Sequence, residues 1–170
     1  VGVIFIGPPA AAVEIMGDKA LAKRAMLEAK VPCIPGYQGE DQSDDILIGE
    51  AKAMSMPVMI KAAAGGGGRG MRRVVEPEQL LQSIALARSE AEGAFGNGDL
   101  ILERAIEGAR HVEVQVFADT HGNVIHLGER DCSLQRRHQK VVEESPCHVM
   151  TPELREAMGL AAVEAARAVS

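Results

Sequence analysis

Between Lys61 and Met71 the chain runs Gly65-Gly66-Gly67-Gly68-Arg69-Gly70. Glycine takes positive φ freely and carries no side chain, so its backbone can approach a ligand closely. Successive N–H groups along such a run can converge on phosphate oxygens and form an anion nest. Lys61 stands where the apolar segment Pro57-Val58-Met59-Ile60 enters the loop, and its ammonium can place a point charge on the same oxygens. A flexible linker is the other common use of a glycine run, but linkers seldom interrupt two tight strands. Lys61 read alone also fits a solvated strand end. No Gly-Lys-Ser/Thr succeeds the glycines, so they do not open a helix as a phosphate loop does. They belong to a hairpin.

A second set of polar residues lies downstream. His111 to Ala118 alternates strictly, with Val112, Val114 and Val116 on one face and His111, Glu113 and Gln115 on the other. The polar face of a half-buried strand needs no ligand to explain it. The polar stretch Glu129-Arg130-Asp131-Cys132-Ser133-Leu134-Gln135-Arg136-Arg137-His138-Gln139-Lys140 favours a site, because it comes after a hairpin and is placed to lie beside that face. His138 and Lys140 share strand parity and Gln135 does not, so a bend must separate them if all three serve one site. A basic surface loop is the alternative.

The elements that must position these residues alternate along the chain. Val1-Gly2-Val3-Ile4-Phe5-Ile6 reads as a buried strand ending in the turn Gly7-Pro8-Pro9. A short helix is expected over Ala11 to Met16, and Asp18 caps a second ending near Ala29. Val31-Pro32-Cys33-Ile34-Pro35-Gly36 is a proline-fixed connector. A helix capped by Ser43 or Asp44 runs to Met54, Val58-Met59-Ile60 is a strand, and Met71 to Val75 is its hairpin partner. Pro77 opens a further helix with Leu80, Ile84, Ala87 and Ala91 on one face. Leu100-Ile101-Leu102 is a third strand, Asp119 to Asn123 a turn, and Thr151-Pro152 starts the last helix. The fold class is α+β. The expected organisation is residues 1–32 as linking helices after an earlier domain, 33–105 as a small subdomain, and 106–170 as the start of an antiparallel-sheet lobe.

Composition narrows the function. The chain has 170 residues and a formal charge of −6, a balance unsuited to neutralising nucleic-acid phosphates. Tyr37, Phe5, Phe95 and Phe117 are its only aromatics, too few for base stacking. No apolar run is long enough to span a bilayer, and no secretory signal pattern is visible at the N-terminus. Cys33, Cys132 and Cys147 are odd in number and form no CxxC pair. The expectation is therefore reduced thiols rather than disulfides. Cys132, His138, Cys147 and His148 fit no common zinc spacing. A cytoplasmic setting is expected, or the mitochondrial matrix if the source is eukaryotic. An opening on a core strand and a closing helix with no stop signal suggest a fragment lacking both ends.

In order, the motifs Phe5-Ile6-Gly7-Pro8, Met16-Gly17-Asp18-Lys19, Val31 to Gly36, the Lys61–Met71 loop, Arg110-His111-Val112-Glu113-Val114-Gln115-Val116 and Glu129-Arg130-Asp131-Cys132-Ser133 to Glu144 resemble the biotin carboxylase component of biotin-dependent acyl-CoA carboxylases, within the ATP-grasp superfamily. The resemblance runs through nearly the whole chain and implies a partial ATP-grasp fold. It implies that Lys19, Lys61 and His111 contact ATP phosphates and that Gly65, Gly66, Gly67, Gly68, Arg69 and Gly70 form a mobile lid. The backbone of Glu103-Arg104-Ala105-Ile106 would recognise adenine, with Met71 packed on the base. Gln135 and His138 would reach the ribose and phosphate region, and Lys140 would lie near bicarbonate, so that Lys140 and His138 stand closest to the chemistry. The segment Leu102 to Arg110 looks more like the carboxylases of branched or longer acyl-CoAs than like the bacterial acetyl-CoA enzyme.

The reaction the resemblance implies uses ATP, with Mg²⁺ or Mn²⁺, to convert bicarbonate to carboxyphosphate, which carboxylates biotin. The implied partners are a biotin carboxyl carrier domain, a carboxyltransferase component and further copies of the full-length parent. The family's metal-binding glutamates and its catalytic base are expected beyond Ser170, and no metal site within the chain. The fragment alone is therefore expected to be inactive. Two other readings stand beside it: another ATP-grasp ligase such as carbamoyl phosphate synthetase, and a noncatalytic nucleotide-binding module.

Overall fold

The computed structural model describes residues 2–65, 70–136 and 139–169. Two helices come first, α1 (Ala10–Gly17) and α2 (Lys19–Glu28). Asp18 caps α2 as its residue type predicts: its Oδ1 accepts the N–H groups of Ala20 at 2.8 Å and Leu21 at 2.9 Å. The expected opening strand is not formed. Val3, Ile4, Phe5 and Ile6 are 78–88% exposed, and no described residue pairs with them. An apolar run becomes a strand only where a neighbour satisfies its N–H and C=O groups.

Next in the chain comes a four-stranded sheet, in the order β1-β4-β2-β3. Its strands are β1 (Gly36–Tyr37), β2 (Val58–Ala62), β3 (Met71–Val74) and β4 (Leu100–Arg104). All its pairings are antiparallel. Helices α3 (Asp44–Ala53) and α4 (Leu80–Phe95) cover one face. A single 3₁₀ turn, Pro77–Gln79, leads into α4. Strand alternation divides the sheet's residues cleanly. Val58, Ile60, Val74, Leu100 and Leu102 are fully buried against Leu47, Leu80, Ile84, Ala87 and Ala91. Each large apolar side chain buried there contributes about 1.5–3 kcal/mol. The opposite face therefore carries Met59, Lys61, Met71, Ile101 and Glu103.

The second sheet has the order β5-β6-β7. Its strands are β5 (Val112–Ala118), β6 (Val124–Arg136) and β7 (Gln139–Glu144). Helix α5 (Pro152–Arg167) packs on β5 and β6, with Thr151 Oγ1 accepting the Leu154 N–H at 3.2 Å. Register shifts interrupt β5–β6 between Val114 and Val116, and β6–β7 between Asp131 and Gln135. The polar stretch from Glu129 is thus no surface loop. It is the second half of a 13-residue strand, succeeded by the strand that returns along it.

Candidate functional site

Lys19, Lys61, Gly65 and Gly70 come together at one end of the first sheet. Lys61 lies in β2 directly across from Met71 in β3 and Ile101 in β4. Lys19, the first residue of α2, is tied to the strand end: its N–H bonds the Ala63 carbonyl at 3.0 Å, and its Nζ donates to the Gly65 carbonyl. Gly65 has φ +80°, and a Cβ there would sit 2.2 Å from the Phe95 ring, so no other residue fits. Gly70 also has positive φ, and its N–H faces Glu90 Oε1 at 3.3 Å. Gly66, Gly67, Gly68 and Arg69 lie outside the described residues, as does His138.

Electrostatically this end is dominated by three lysines and one carboxylate. Glu103 accepts Lys23 Nζ at 2.8 Å on Oε1 and Lys61 Nζ at 2.5 Å on Oε2. Burial alone would raise the Glu103 pKa, but the two lysine hydrogen bonds outweigh it and hold the group below its ordinary value. Lys19 is shifted down, first by burial and then by repulsion from Lys61. The Arg104 and Ala105 N–H groups are engaged by the carbonyls of Pro35 at 2.9 Å and Pro57 at 2.8 Å. Ile106, past the strand end, is exposed.

The second sheet assembles the rest. The Cys132 N–H bonds the His111 carbonyl at 2.7 Å, and the His111 N–H bonds Ser133 Oγ at 2.9 Å, which pins the residue to β6. Gln135 Nε2 lies 2.8 Å from the Cys132 carbonyl and 2.9 Å from His111 Nδ1. Gln135 pairs directly across the ladder with Lys140, so the two share a face. The parity mismatch between Gln135 and Lys140 disappears because β6 and β7 pair antiparallel in this register. Lys140 Nζ reaches Glu113 Oε2, while Arg130 Nε donates to Glu113 Oε1 at 2.8 Å. Lys140 first and Arg130 second lower the Glu113 pKa to about 2. Lys140 itself is shifted up by the same contact.

Among the described residues, no hydrogen bond or ion pair joins the Lys19–Lys61–Glu103 group to the His111–Gln135–Glu113–Lys140 group. The first group offers cations suited to a polyanion, and the second a lysine held by a carboxylate. One trio of metal-ligand type occurs among the described residues, Glu113, Cys132 and Glu143, with ligand atoms within 4.8 Å of one another. It does not suit Mg²⁺, which takes oxygen ligands, because Cys132 offers sulfur and Glu113 is engaged by Lys140 and Arg130. Sequence reasoning missed Lys23 and Arg130 as participants. The only signal for Lys23 was its i+4 spacing from Lys19 on α2.

Residues 18–170 match the family model described as "Carbamoyl-phosphate synthase L chain, ATP binding domain". The chain belongs to this family. Its relatives include methylcrotonoyl-CoA carboxylase alpha subunits and biotin carboxylases. The chain is 52% identical over 168 residues to the methylcrotonoyl-CoA carboxylase subunit alpha of Dictyostelium discoideum, covering 99% of this chain and 24% of that protein. It is 51% identical over 168 residues to biotin carboxylase 2 of Populus trichocarpa, covering 99% of this chain and 32% of that protein. The chain thus spans about a quarter to a third of the length of these relatives. Methylcrotonoyl-CoA carboxylase alpha subunits and plant biotin carboxylases stand at nearly equal identity to this chain.

Solved structures agree with the α+β ATP-grasp expectation. The biotin carboxylase of Campylobacter jejuni, in a complex titled with β,γ-ATP, superposes with a TM-score of 0.92 at 48% identity, covering 97% of this chain and 37% of that one. The biotin carboxylase domain of Hydrogenobacter thermophilus 2-oxoglutarate carboxylase, a dimer with MgADP, ADP and bicarbonate, gives 0.91 at 49% identity, covering 99% and 37%. The chain is a partial ATP-grasp unit.

Proposed function

We propose that the chain is the ATP-binding segment of a biotin carboxylase, a ligase that uses ATP and bicarbonate to carboxylate biotin held on a carrier domain. The observation that carries this reading is the placement of Lys19 beside Lys61 at one strand end, and of His111, Gln135 and Lys140 about β6, on a chain half identical to biotin carboxylases. Lys19, Lys61 and His111 receive the phosphates, and residues Gly65 to Gly70 close over them. Glu103, Arg104 and Ile106 border the adenine, with Ile106 the position left for its backbone edge, and Met71 packs on the base beside Lys61. Gln135 and His138 serve the ribose and phosphate region.

Bicarbonate is a poor carboxyl donor until its oxygen attacks the γ-phosphorus of ATP and ADP leaves. The carboxyphosphate so formed releases phosphate as CO₂ passes to the biotin ureido nitrogen. Crowded negative charge at this step calls for fixed cations, and Lys140 offers one on the bicarbonate side. Mg²⁺ would supply further charge neutralisation, held by groups other than the described trio. A closed glycine loop keeps water from the labile intermediate. The working partners on this reading are the carrier domain, a carboxyltransferase component and a second copy of the full-length protein. The expected setting is the cytoplasm or, in a eukaryote, the mitochondrial matrix. Among the described residues no helix is long and apolar enough to cross a membrane.

The test is bicarbonate-dependent ATP cleavage by the longer reading frame that includes these residues. Stimulation by free biotin is expected, whereas cleavage indifferent to biotin would favour a carbamoyl phosphate synthetase-like ligase. The 170-residue chain alone is expected to show no such turnover.

A further inference from the structure

Lys23 is buried, 8% exposed, on a helix whose other lysine of the same face is a proposed phosphate ligand. Burying an ammonium is costly unless it is paired, and among the described residues Lys23 has one partner, Glu103 Oε1 at 2.8 Å. The fold makes room for that contact. Gly36 in β1 approaches so closely that a Cβ there would lie 2.7 Å from Lys23 Nζ and 2.1 Å from the Leu102 carbonyl. The second oxygen of Glu103 holds Lys61. One carboxylate therefore serves two cations of unequal freedom. Lys23 is enclosed, while the Lys61 side chain, across from Met71, is 24% exposed.

We propose that Lys23 is a positioning residue that keeps Glu103 neutralised while Lys61 leaves Glu103 for the nucleotide phosphates. The inference rests on the ATP-binding reading of this site. In the conformation observed, Lys61 is held by Glu103. When a polyphosphate arrives, Lys61 exchanges one anion for another. The exchange is cheap only if Glu103 is not stranded, since a buried carboxylate that loses its last partner is strongly destabilised. Lys23 is the partner that stays. Neither covalent change nor net proton transfer is involved. Lys19, the third lysine, bonds the Gly65 carbonyl rather than Glu103 and so cannot take over Lys23's task from its observed position.

The experiment measures ATP binding by calorimetry on the longer reading frame carrying these residues, as wild type, Lys23→Met, Lys23→Arg, Glu103→Gln and the Lys23→Met/Glu103→Gln double variant. Lys23→Met is expected to weaken ATP binding about tenfold, because Lys61 becomes the sole partner of Glu103. Lys23→Arg keeps the charge and is expected to stay near wild type. The double variant removes the carboxylate as well and is expected to bind more tightly than Lys23→Met alone, which mere loss of packing would not produce. In the wild type, the side-chain ¹⁵Nζ signal of Lys61 should move on ATP addition while that of Lys23 stays. This last measurement stands even if a variant fails to fold. Wild-type affinity in Lys23→Met, no recovery in the double variant, or a Lys23 signal that moves as far as that of Lys61 would overturn the inference. No ATP binding by the wild type would instead overturn the reading on which it rests.

Discussion

The side-chain amide of Gln135 holds the imidazole of His111 from one side, with Nε2 2.9 Å from Nδ1. The same nitrogen lies 2.8 Å from the Cys132 carbonyl, which can only accept. The amide must therefore present its NH₂ group to both. His111 Nδ1 is then the acceptor, and the ring proton sits on Nε2, free to donate to an anion.

Replacing Gln135 by Leu removes this constraint. Long-range ¹H–¹⁵N spectra are expected to show one His111 tautomer, protonated at Nε2, in the wild type and a mixture in the variant. ATP binding should weaken about tenfold, the range of a lost hydrogen bond to a charged group. Unchanged tautomer populations would contradict the assignment.

Glu113 offers a pH test. Its pKa is lowered from 4.5 to about 2, first by Lys140 and then by Arg130. A depressed carboxylate contributes stability that is complete above pH 4.5 and is lost as the pH falls through about 2. A carboxyl ¹³C titration is expected to show that low midpoint, and Lys140→Met should move it up toward the ordinary value. A midpoint unaffected by Lys140→Met would show that the pair does not persist in solution.

Helix α5 is fastened to β6 by Arg155, whose guanidinium bonds both oxygens of buried Glu129 at 2.8–3.1 Å. Arg155→Met leaves that carboxylate with the Cys147 N–H at 3.2 Å and its own backbone N–H. The melting temperature near neutral pH is expected to fall by roughly 5 °C. The loss should shrink as the pH drops from 4.5 toward about 2, where Glu129 protonates in the wild type.

The same helix passes close to His126, where a Cβ on Gly159 would lie 2.5 Å from the ring. Gly159→Ala is expected to destabilise the chain by about 1–3 kcal/mol through overpacking. In a His126→Ala background it should instead be neutral or gain up to about 1 kcal/mol of helix propensity. Urea unfolding of the four proteins in this cycle measures the coupling.

Much of the framework was legible because its signals are local. Asp18 announced the cap of α2, and Leu80, Ile84, Ala87 and Ala91 announced the buried face of α4; all four are fully buried. The glycine run and Lys61 pointed to an anion from backbone chemistry alone. The illegible parts depend on distant partners. Val3 to Ile6 has strand composition, but a strand is made by its neighbour. Glu129 to Arg136 lacks apolar alternation because its side chains are satisfied by Arg155, Glu113 and Cys147, none nearby in sequence. Lys23 reads as a surface lysine until Glu103, 80 residues away, is brought against it.

The central claim is that Lys61 and the loop beside it form an ATP site, and nucleotide titration tests it most directly. Wild-type protein and Lys61→Ala, each in the longer reading frame, are titrated with ATP, GTP and CTP. Saturable binding that prefers ATP is expected, with a loss of about tenfold or more in Lys61→Ala. Equal ATP binding by the two proteins would contradict it.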